Sequence, residues 1–538
     1  YANGNVKLDG VTVYAQFRDK DGSYSPIFSA KTHTLPDVVG GNGGQGTFAF
    51  GTDDKGITWT DKLGREHTWS ARTDQKHRIW VEPSTNERGN RLEMIRQVNG
   101  FVPGSFNNVA KYPLGSFVAA DGNIQQMAVF LQELAPSHEN SYMVARDQDG
   151  NSKIENDTNG FVEGQNPWNS VSGRVWAEVG KTDAGITATG PAYTRPDGDI
   201  TLEGYHVYAS TLTPEGAAAN ENLHAKYKDD PGKLAEETKK MLEDNPQYIL
   251  KTVSGKTDAE GRYTLRFNEG QTADKQSRDN LNLDHMYLWV EDENGVVQNG
   301  YTGFHSPVFQ RFSDGGGFRP QTLPAPNVIT SDISRNRVYN VNYAVMPYAP
   351  AKITADYNAT DKPAAPGTTV TPEFDGTLST LPSVVEWRDD DGNVVKTCEL
   401  DQSKAAESQV AACTFDIPKD AKKGDYFNVV LVSGGNDVSA WTVLVTKDAD
   451  EFTPAYEDKL VVPGEETKSN PTFTKVGEDE NGEPTEEKVD VPEGSKFSIP
   501  EDFKAPEGYE VKVDENTGEI TVTFPDGSKP VSYTHLRA

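Results

Sequence analysis

The clearest alternation of apolar and polar positions lies near the C-terminus. Val511, Val513, Ile520, Val522 and Phe524 alternate with polar residues on either side of Asn516-Thr517-Gly518. A period of two predicts a pair of half-buried strands, and the Asn/Gly stretch predicts a tight turn with φ > 0 positions between them. Pro525-Asp526-Gly527 predicts a further turn. The same patterning opens the chain. NVKLDGVTVYAQF, residues 5–17, reads as a strand from its alternation and its Val/Tyr content. It returns as DITLEGYHVYAST, residues 199–211, with Leu8/Leu202, Gly10/Gly204, Val13/Val207, Tyr14/Tyr208 and Ala15/Ala209 aligned without gaps.

The echo continues in order. GTFAF (46–50) answers GRYTL (261–265), RIWVE (78–82) answers YLWVE (287–291), and NGFVPGSF (99–106) answers TGFHSPVF (302–309). Both copies close on an apolar strand, before Pro136 and Pro347. Conserved order predicts a true internal repeat, one copy over 1–136 and the other over 171–347, with 137–170 as a connector. Only the second copy carries SGRVWAEV (172–179) ahead of the shared phrase. The first copy is therefore expected to lack its first strand, and the chain to be a fragment of something longer. Helical spacing emerges in one place, the insertion 214–246. There Leu234, Thr238, Met241 and Leu242 follow an Asp230-Pro231 entry, which predicts one amphipathic helix. It reads either as a cover over a sandwich edge or as a recognition element.

Residues 348–448 read as a separate immunoglobulin-like sandwich. VVEWRDDDGNVVKT predicts a hairpin across Asp391-Gly392, several short strands follow, and Trp387 is a core candidate. The expected fold class is all-β, a tandem of sandwiches with one short helical insertion.

Composition narrows the classes. The 538 residues carry 82 acidic against 52 basic side chains, a net charge of −30. Nucleic acid and anionic membrane surfaces want basic patches, so neither is an expected partner. Mean hydropathy is −0.67, yet 8 Trp, 21 Tyr and 22 Phe argue against bulk disorder. No apolar run reaches the roughly 18 residues of a membrane span, so no membrane insertion is expected. No export signal opens the chain, and LPAPN (323–327) lacks the Thr-Gly of a sorting motif.

VDENTGEITVTFPDGSKP, with PAYEDKLVVPGEE (454–466) and VPEGSKF (491–497) upstream, resembles the Rib/alpha/Esp-type (YPDG) repeat of Gram-positive surface proteins. The likeness covers 452–530, with Phe524 in the Tyr position. It implies an immunoglobulin-like module in an extracellular, cell-wall-anchored protein. GRVWAEV, TLEGYHVYA, SGKTDAEGRYTLRF and HMYLWVED of the second copy resemble the transthyretin-like or Cna-B-like sandwich, the TDAEGRY turn most specifically. VSYTHLRA, residues 531–538, breaks the pattern and resembles translated adapter sequence. It is expected to be non-native, an ordinary tail being the other reading.

Candidate chemistry is sparse. No HExxH, GxSxG, P-loop or Cys/His cluster of zinc spacing occurs, so no enzyme and no cofactor are expected. His77 and His285, near the shared strand phrase in both copies, read as structural. Cys398 and Cys413 are the only cysteines and fall on expected adjacent strands. They read as a disulfide, or as two reduced core thiols. Asp147, Asp149 and Asn151 alternate as calcium ligands would, but Gly150 comes early for an EF-hand loop and no terminal Glu follows. A solvated acidic connector is the alternative. The Cna-B likeness raises a Lys–Asn isopeptide, though KAPEGYEV (504–511) lies in the wrong module for it. Trp59, Trp69 and Trp168 lie in Gly/Asp/Asn-rich stretches, where they would stack on sugars or pack on a host protein if exposed, and pack in cores if not. Trp80, Trp289 and Trp387 read as core. The expected function is a non-enzymatic surface adhesin or stalk fragment displaying the repeat pair to a host or neighbouring-cell protein or glycan. The alternatives are the carbohydrate-binding region of a glycan-active enzyme, or a passive spacer.

Overall fold

The computed structural model describes residues 6–36, 43–51, 56–70, 74–97, 104–108, 118–120, 123–125, 128–134, 136–139, 141–157, 169–179, 199–267, 283, 285–301, 308–311, 330–332, 336–346, 350–447, 452–462, 464–478, 484–492 and 494–524. The chain is all-β in character, with many small sheets and a few short helices.

The two repeats build the same sheet. In the first, the order is Asn107–Asn108, Lys76–Val81, Thr12–Arg18, Phe28–Lys31. In the second, Gln310–Arg311, His285–Glu291, His206–Leu212 and Ile249–Lys256 follow in the same order. The register is shared too. Val13 faces Val81 and Tyr14 faces Trp80, as Val207 faces Val290 and Tyr208 faces Trp289. Cross-strand aromatics at one pleat position stack in both copies, with ring centroids 5.4 Å apart for Tyr14–Trp80 and 5.0 Å for Tyr208–Trp289. Such pairs stabilise a sheet by about 0.5–1.5 kcal/mol beyond their burial.

Residues 141–157 are built into the second repeat. Met143, Val144 and Ala145 are buried against Tyr287 and Trp289, and Glu155–Asp157 adds a parallel strand to Ile249–Lys256. The insertion holds two helices, Pro214–Lys226 and Pro231–Asp244, where one was expected. Both begin as capping rules require. Thr213 accepts from Gly216 N–H and Asp230 from Lys233 N–H, each followed by a proline at the first helical position. The first helix buries Gly216, Ala217 and Asn220, a small and polar face that leaves no apolar stripe to read. A third helix, Ala406–Ala412, lies within the immunoglobulin-like domain.

One turn recurs seven times among the described residues. Asp19, Asp61, Asn86, Asp147, Asp258, Asp292 and Asp389 each accept from the N–H three residues on through the carbonyl, with a glycine at that fourth position. Six of those glycines, Gly22, Gly64, Gly89, Gly150, Gly261 and Gly295, have φ between 72° and 86°. The side-chain oxygen usually caps further N–H groups of the turn, as Asp258 does for Glu260 and Arg262. The Asp-Gly pairs thus mark the end of a D-x-x-G turn with a left-handed fourth residue, not a two-residue hairpin.

The immunoglobulin-like domain carries a four-stranded sheet in the order Val394–Glu399, Ser383–Asp389, Tyr426–Ser433, Asn436–Leu444. Trp387 is fully buried, donates to Cys413 O at 2.8 Å and stacks on Phe415. The C-terminal module has two three-stranded sheets. Its hairpin pairs Glu510–Val513 with Ile520–Thr523, Val511 facing Val522 and Val513 facing Ile520. The turn is wider than expected. Asp514 caps Asn516 and Thr517 N–H, and Gly518, at φ 72°, takes the left-handed position.

Candidate functional site

The described side chains of most chemical interest lie in the seams between modules. The first repeat packs on the immunoglobulin-like domain although they are far apart in sequence. The Asp19–Gly22 turn sets the fit. A side chain at Gly22 would overlap the backbone of Asp390, so only glycine lets the turn approach. Gly22 O then accepts from Asn428 Nδ2 at 3.0 Å. Tyr24 N–H donates to Thr442 Oγ1 at 2.7 Å, Gln16 Nε2 to Ala440 O at 2.7 Å, Phe106 N–H to Asp437 O at 2.9 Å and Lys62 N–H to Ala359 O at 2.8 Å. Apolar packing closes the seam, with Phe17, Ile57 and Trp59 from one side and Ala359, Tyr426 and Leu444 from the other.

A buried polar chain runs through it. His67 Nδ1 lies 3.0 Å from Asp19 Oδ2 and 3.5 Å from Asp21 Oδ2, and Nε2 lies 3.1 Å from Tyr426 Oη. Tyr426 O–H donates to Asp61 Oδ2 at 2.6 Å, and Asp61 also takes Arg65 Nε at 2.6 Å. Gln75 Nε2 donates to Asp19 Oδ1. Tyr426 has one proton and spends it on Asp61, so His67 Nε2 must donate to it. Nδ1 faces the carboxylates of Asp19 and Asp21. Burial pushes the Asp19 carboxyl up, but hydrogen bonds from His67 and Gln75 outweigh it and hold the group at about 2. Burial also raises Asp61, and the bonds from Tyr426 and Arg65 bring it below the usual range. Burial and the bond to Asp61 push Tyr426 upward.

Asp, His and Tyr in sequence look like a proton relay. Here each member is engaged with its neighbours, and the chain ends in an Arg65–Asp61 pair. The ligand atoms of Asp19, Asp21 and His67 also lie within 4.8 Å of one another, the donor set of a small cation site. Hydrogen bonds account for all three, Asp21 being bonded by Ser23 N–H and Oγ–H. The geometry reads as a clasp between modules.

A second feature repeats with the sheet. Glu82 and Glu291 end the matched phrases and each receives a basic side chain beside the stacked tyrosine. Lys352 Nζ lies 2.7 Å from Glu82 and 4.2 Å from the Tyr14 ring centroid. His138 Nδ1 lies 2.6 Å from Glu291, its ring stacked on Tyr208 at 5.0 Å. Lys352 leads into the immunoglobulin-like domain and His138 lies in the connector, so each repeat ties down a neighbouring segment with the same patch. Between the repeats, Trp176 is buried among Ile95, Phe130, Ala344 and Met346, and Gln132 exchanges two bonds with Gly300.

The expected site residues fall as follows. Trp59 is 6% exposed and stacks on His67 at 4.1 Å, so it is seam core and not a loop platform. Trp69 is half-buried, packed parallel to Phe17. Trp59 is buried in a cluster with Ala359, Tyr426 and Leu444 of the immunoglobulin-like domain and Trp69 packs at the edge of that cluster, which local Gly/Asp composition could not reveal. Trp168 lies outside the described residues. Asp147 Oδ1 accepts from Asp149 and Asn151 N–H within the recurrent turn. Cys398 and Cys413 are joined by a disulfide, Cα–Cα 6.1 Å. Cys398 lies on a strand, but Cys413 caps the helix Ala406–Ala412 and is not on an adjacent strand. His77 is fully buried, which drives it down to about 4. His285 is buried between Asn220 and Glu221. The seam residues His67 and Tyr426 had no signal in sequence, and Asp61 had only its D-x-x-G turn.

Residues 449–536 match the family model of the Long Rib domain, and this module is a Rib-type domain. No curated protein matches the chain. Among solved structures, a tetra-tandem repeat in the extending region of a large adhesion protein is 9% identical, over 97% of this chain and 86% of that one, with a TM-score of 0.15. The BSP domain of a biofilm-associated protein is 10% identical over 97% and 92%, at 0.13. The eight N-terminal immunoglobulin domains of the Down syndrome cell adhesion molecule are 7% identical over 87% and 47%, at 0.14. TM-scores in this range mark no shared arrangement of the whole chain. No helix among the described residues is long and apolar enough to cross a membrane.

Proposed function

We propose that the chain is a non-enzymatic region of a Gram-positive surface protein, a stalk or adhesin segment in which three interlocked modules are carried by a Rib-type domain. The Rib-type domain at 449–536 carries the reading. The seams support a mechanical role within it. Buried aromatics and charge-assisted bonds tie the first repeat to the immunoglobulin-like domain, so load applied at one end is shared across modules instead of falling on a linker. The glycan-platform alternative loses support, because Trp59 is buried in the seam and Trp69 is half-buried against Phe17. The test is surface display on a Gram-positive host. Antibody against the module body should label intact cells, and protease shaving should remove the label. Single-molecule stretching should then show the first repeat and immunoglobulin-like domain yielding together. Labelling only after lysis would sink the surface assignment, and independent low-force unfolding of the two would sink the mechanical one.

A further inference from the structure

Three donor atoms converge in the seam between the first repeat and the immunoglobulin-like domain. Asp19 and Asp21 each take hydrogen bonds from nearby residues on Oδ1. Asp19 Oδ1 accepts from Lys20 N–H at 2.7 Å and Gln75 Nε2 at 3.1 Å. Asp21 Oδ1 accepts from Ser23 N–H at 3.0 Å and Ser23 Oγ–H at 2.6 Å. Both Oδ2 atoms are turned to His67 Nδ1, at 3.0 and 3.5 Å, and the three atoms lie within 4.8 Å of one another. Ser23 Oγ lies 3.4 Å from the same nitrogen, its proton already given to Asp21.

The imidazole is oriented from outside this group. Tyr426 gives its proton to Asp61, so its oxygen accepts, and the N–H it accepts is that of His67 Nε2. In the neutral ring this tautomer aims the Nδ1 lone pair at two carboxylate oxygens, from a side chain only 3% exposed. A proton on Nδ1 serves Asp19 and leaves the Asp21 charge without a match. A divalent ion serves all three. The spacing suits one, because an ion bonded tetrahedrally at about 2.0–2.2 Å holds its donors about 3.3–3.6 Å apart. The His67–Tyr426–Asp61 chain is then the outer shell by which metal-bound histidines fix their tautomer. The opposite wall is acidic as well. The Asp389–Gly392 turn abuts Gly22, and burial with the charges of Asp425, Asp391 and Asp389 pushes the Asp390 carboxyl up. Asp21 is 36% exposed and gives an ion a way in.

We propose that Asp19 Oδ2, Asp21 Oδ2 and His67 Nδ1 form a site for a divalent transition-metal ion of the zinc type, with water completing the coordination on the exposed side of Asp21. The imidazole ligand selects against calcium and magnesium, which take oxygen. The ion fixes His67 against Tyr426 and so fastens the first repeat to the immunoglobulin-like domain.

Calorimetric titration of zinc chloride into the intact, chelator-stripped chain tests this at neutral pH. One saturable equivalent is expected, with no competition from calcium or magnesium. Zinc at about 100 times its Kd should raise the melting temperature of the seam by at least about 5 °C. Asp21→Asn keeps the shape and the Oδ1 acceptor but removes one anionic ligand, and should bind at least about tenfold more weakly. Cobalt in place of zinc should quench tryptophan fluorescence, because Trp59 stacks on His67 at 4.1 Å. The quench reads the site in the unaltered chain, without reliance on a variant's folding. Absence of a saturable equivalent overturns the proposal, as does cobalt binding without a quench. Unchanged affinity in a folded Asp21→Asn protein overturns it too, because the ion would then lie elsewhere on the acidic surface. Equal binding of calcium would mark an oxygen-only site and overturn the assignment to His67.

Discussion

Asp19→Asn is the sharpest probe of the clasp between the first repeat and the immunoglobulin-like domain. Asp19 is held at about 2, against an ordinary 3.8, by bonds from His67 and Gln75. A carboxyl depressed by that much contributes about 2 kcal/mol to the folded state. Its side chain is only 12% exposed, so solvent screening takes little from this figure. The sign follows from the direction of the displacement. The folded state binds the proton more weakly than the unfolded chain, so the contribution is complete above pH 4 and is lost as pH falls through about 2. The asparagine keeps the shape and removes the charge facing His67. Urea unfolding followed by tryptophan fluorescence reports on the seam, because Trp59 stacks on His67. At pH 6 the variant should be destabilised by about 2 kcal/mol, and the two proteins should converge as pH drops from about 4 to about 2. Equal midpoints at pH 6, or a constant offset down to pH 2, would refute the clasp as drawn.

Two further perturbations address the packing. Trp176→Ala opens a cavity where the two repeats meet and should cost about 3–5 kcal/mol, read as a lowered calorimetric transition of the repeat pair with the Rib-type domain's transition unmoved. Reducing Cys398–Cys413, a closure 15 residues apart in sequence, should destabilise the immunoglobulin-like domain by about 3 kcal/mol in the chain-entropy account, visible as an earlier urea midpoint in reductant.

Local order was legible where a residue's neighbours are near in sequence. Alternation located the hairpin at 510–523, and the repeated phrases anticipated sheets that match in order and register, down to the Tyr14–Trp80 and Tyr208–Trp289 stacks. The helix at 214–226 was hidden because its buried face is Gly, Ala and Asn. The seams were illegible for a different reason. Trp59 and His67 sit in polar, Gly-rich sequence that reads as exposed loop, and what buries them is Tyr426, some hundreds of residues away. A tandem of spaced modules was expected, whereas the first and third are in direct contact. Their contact rests on long-range pairings that no periodicity encodes.

Amide hydrogen exchange tests that contact most directly. Tyr24, Lys62 and Phe106 N–H bond across the seam, to Thr442 Oγ1, Ala359 O and Asp437 O. If the first repeat and the immunoglobulin-like domain form one cooperative body, all three exchange as slowly as the strand amides of 426–433, and Asp19→Asn speeds them together. Exchange at the rate of solvated loop amides, with the 426–433 strand still protected, would contradict it.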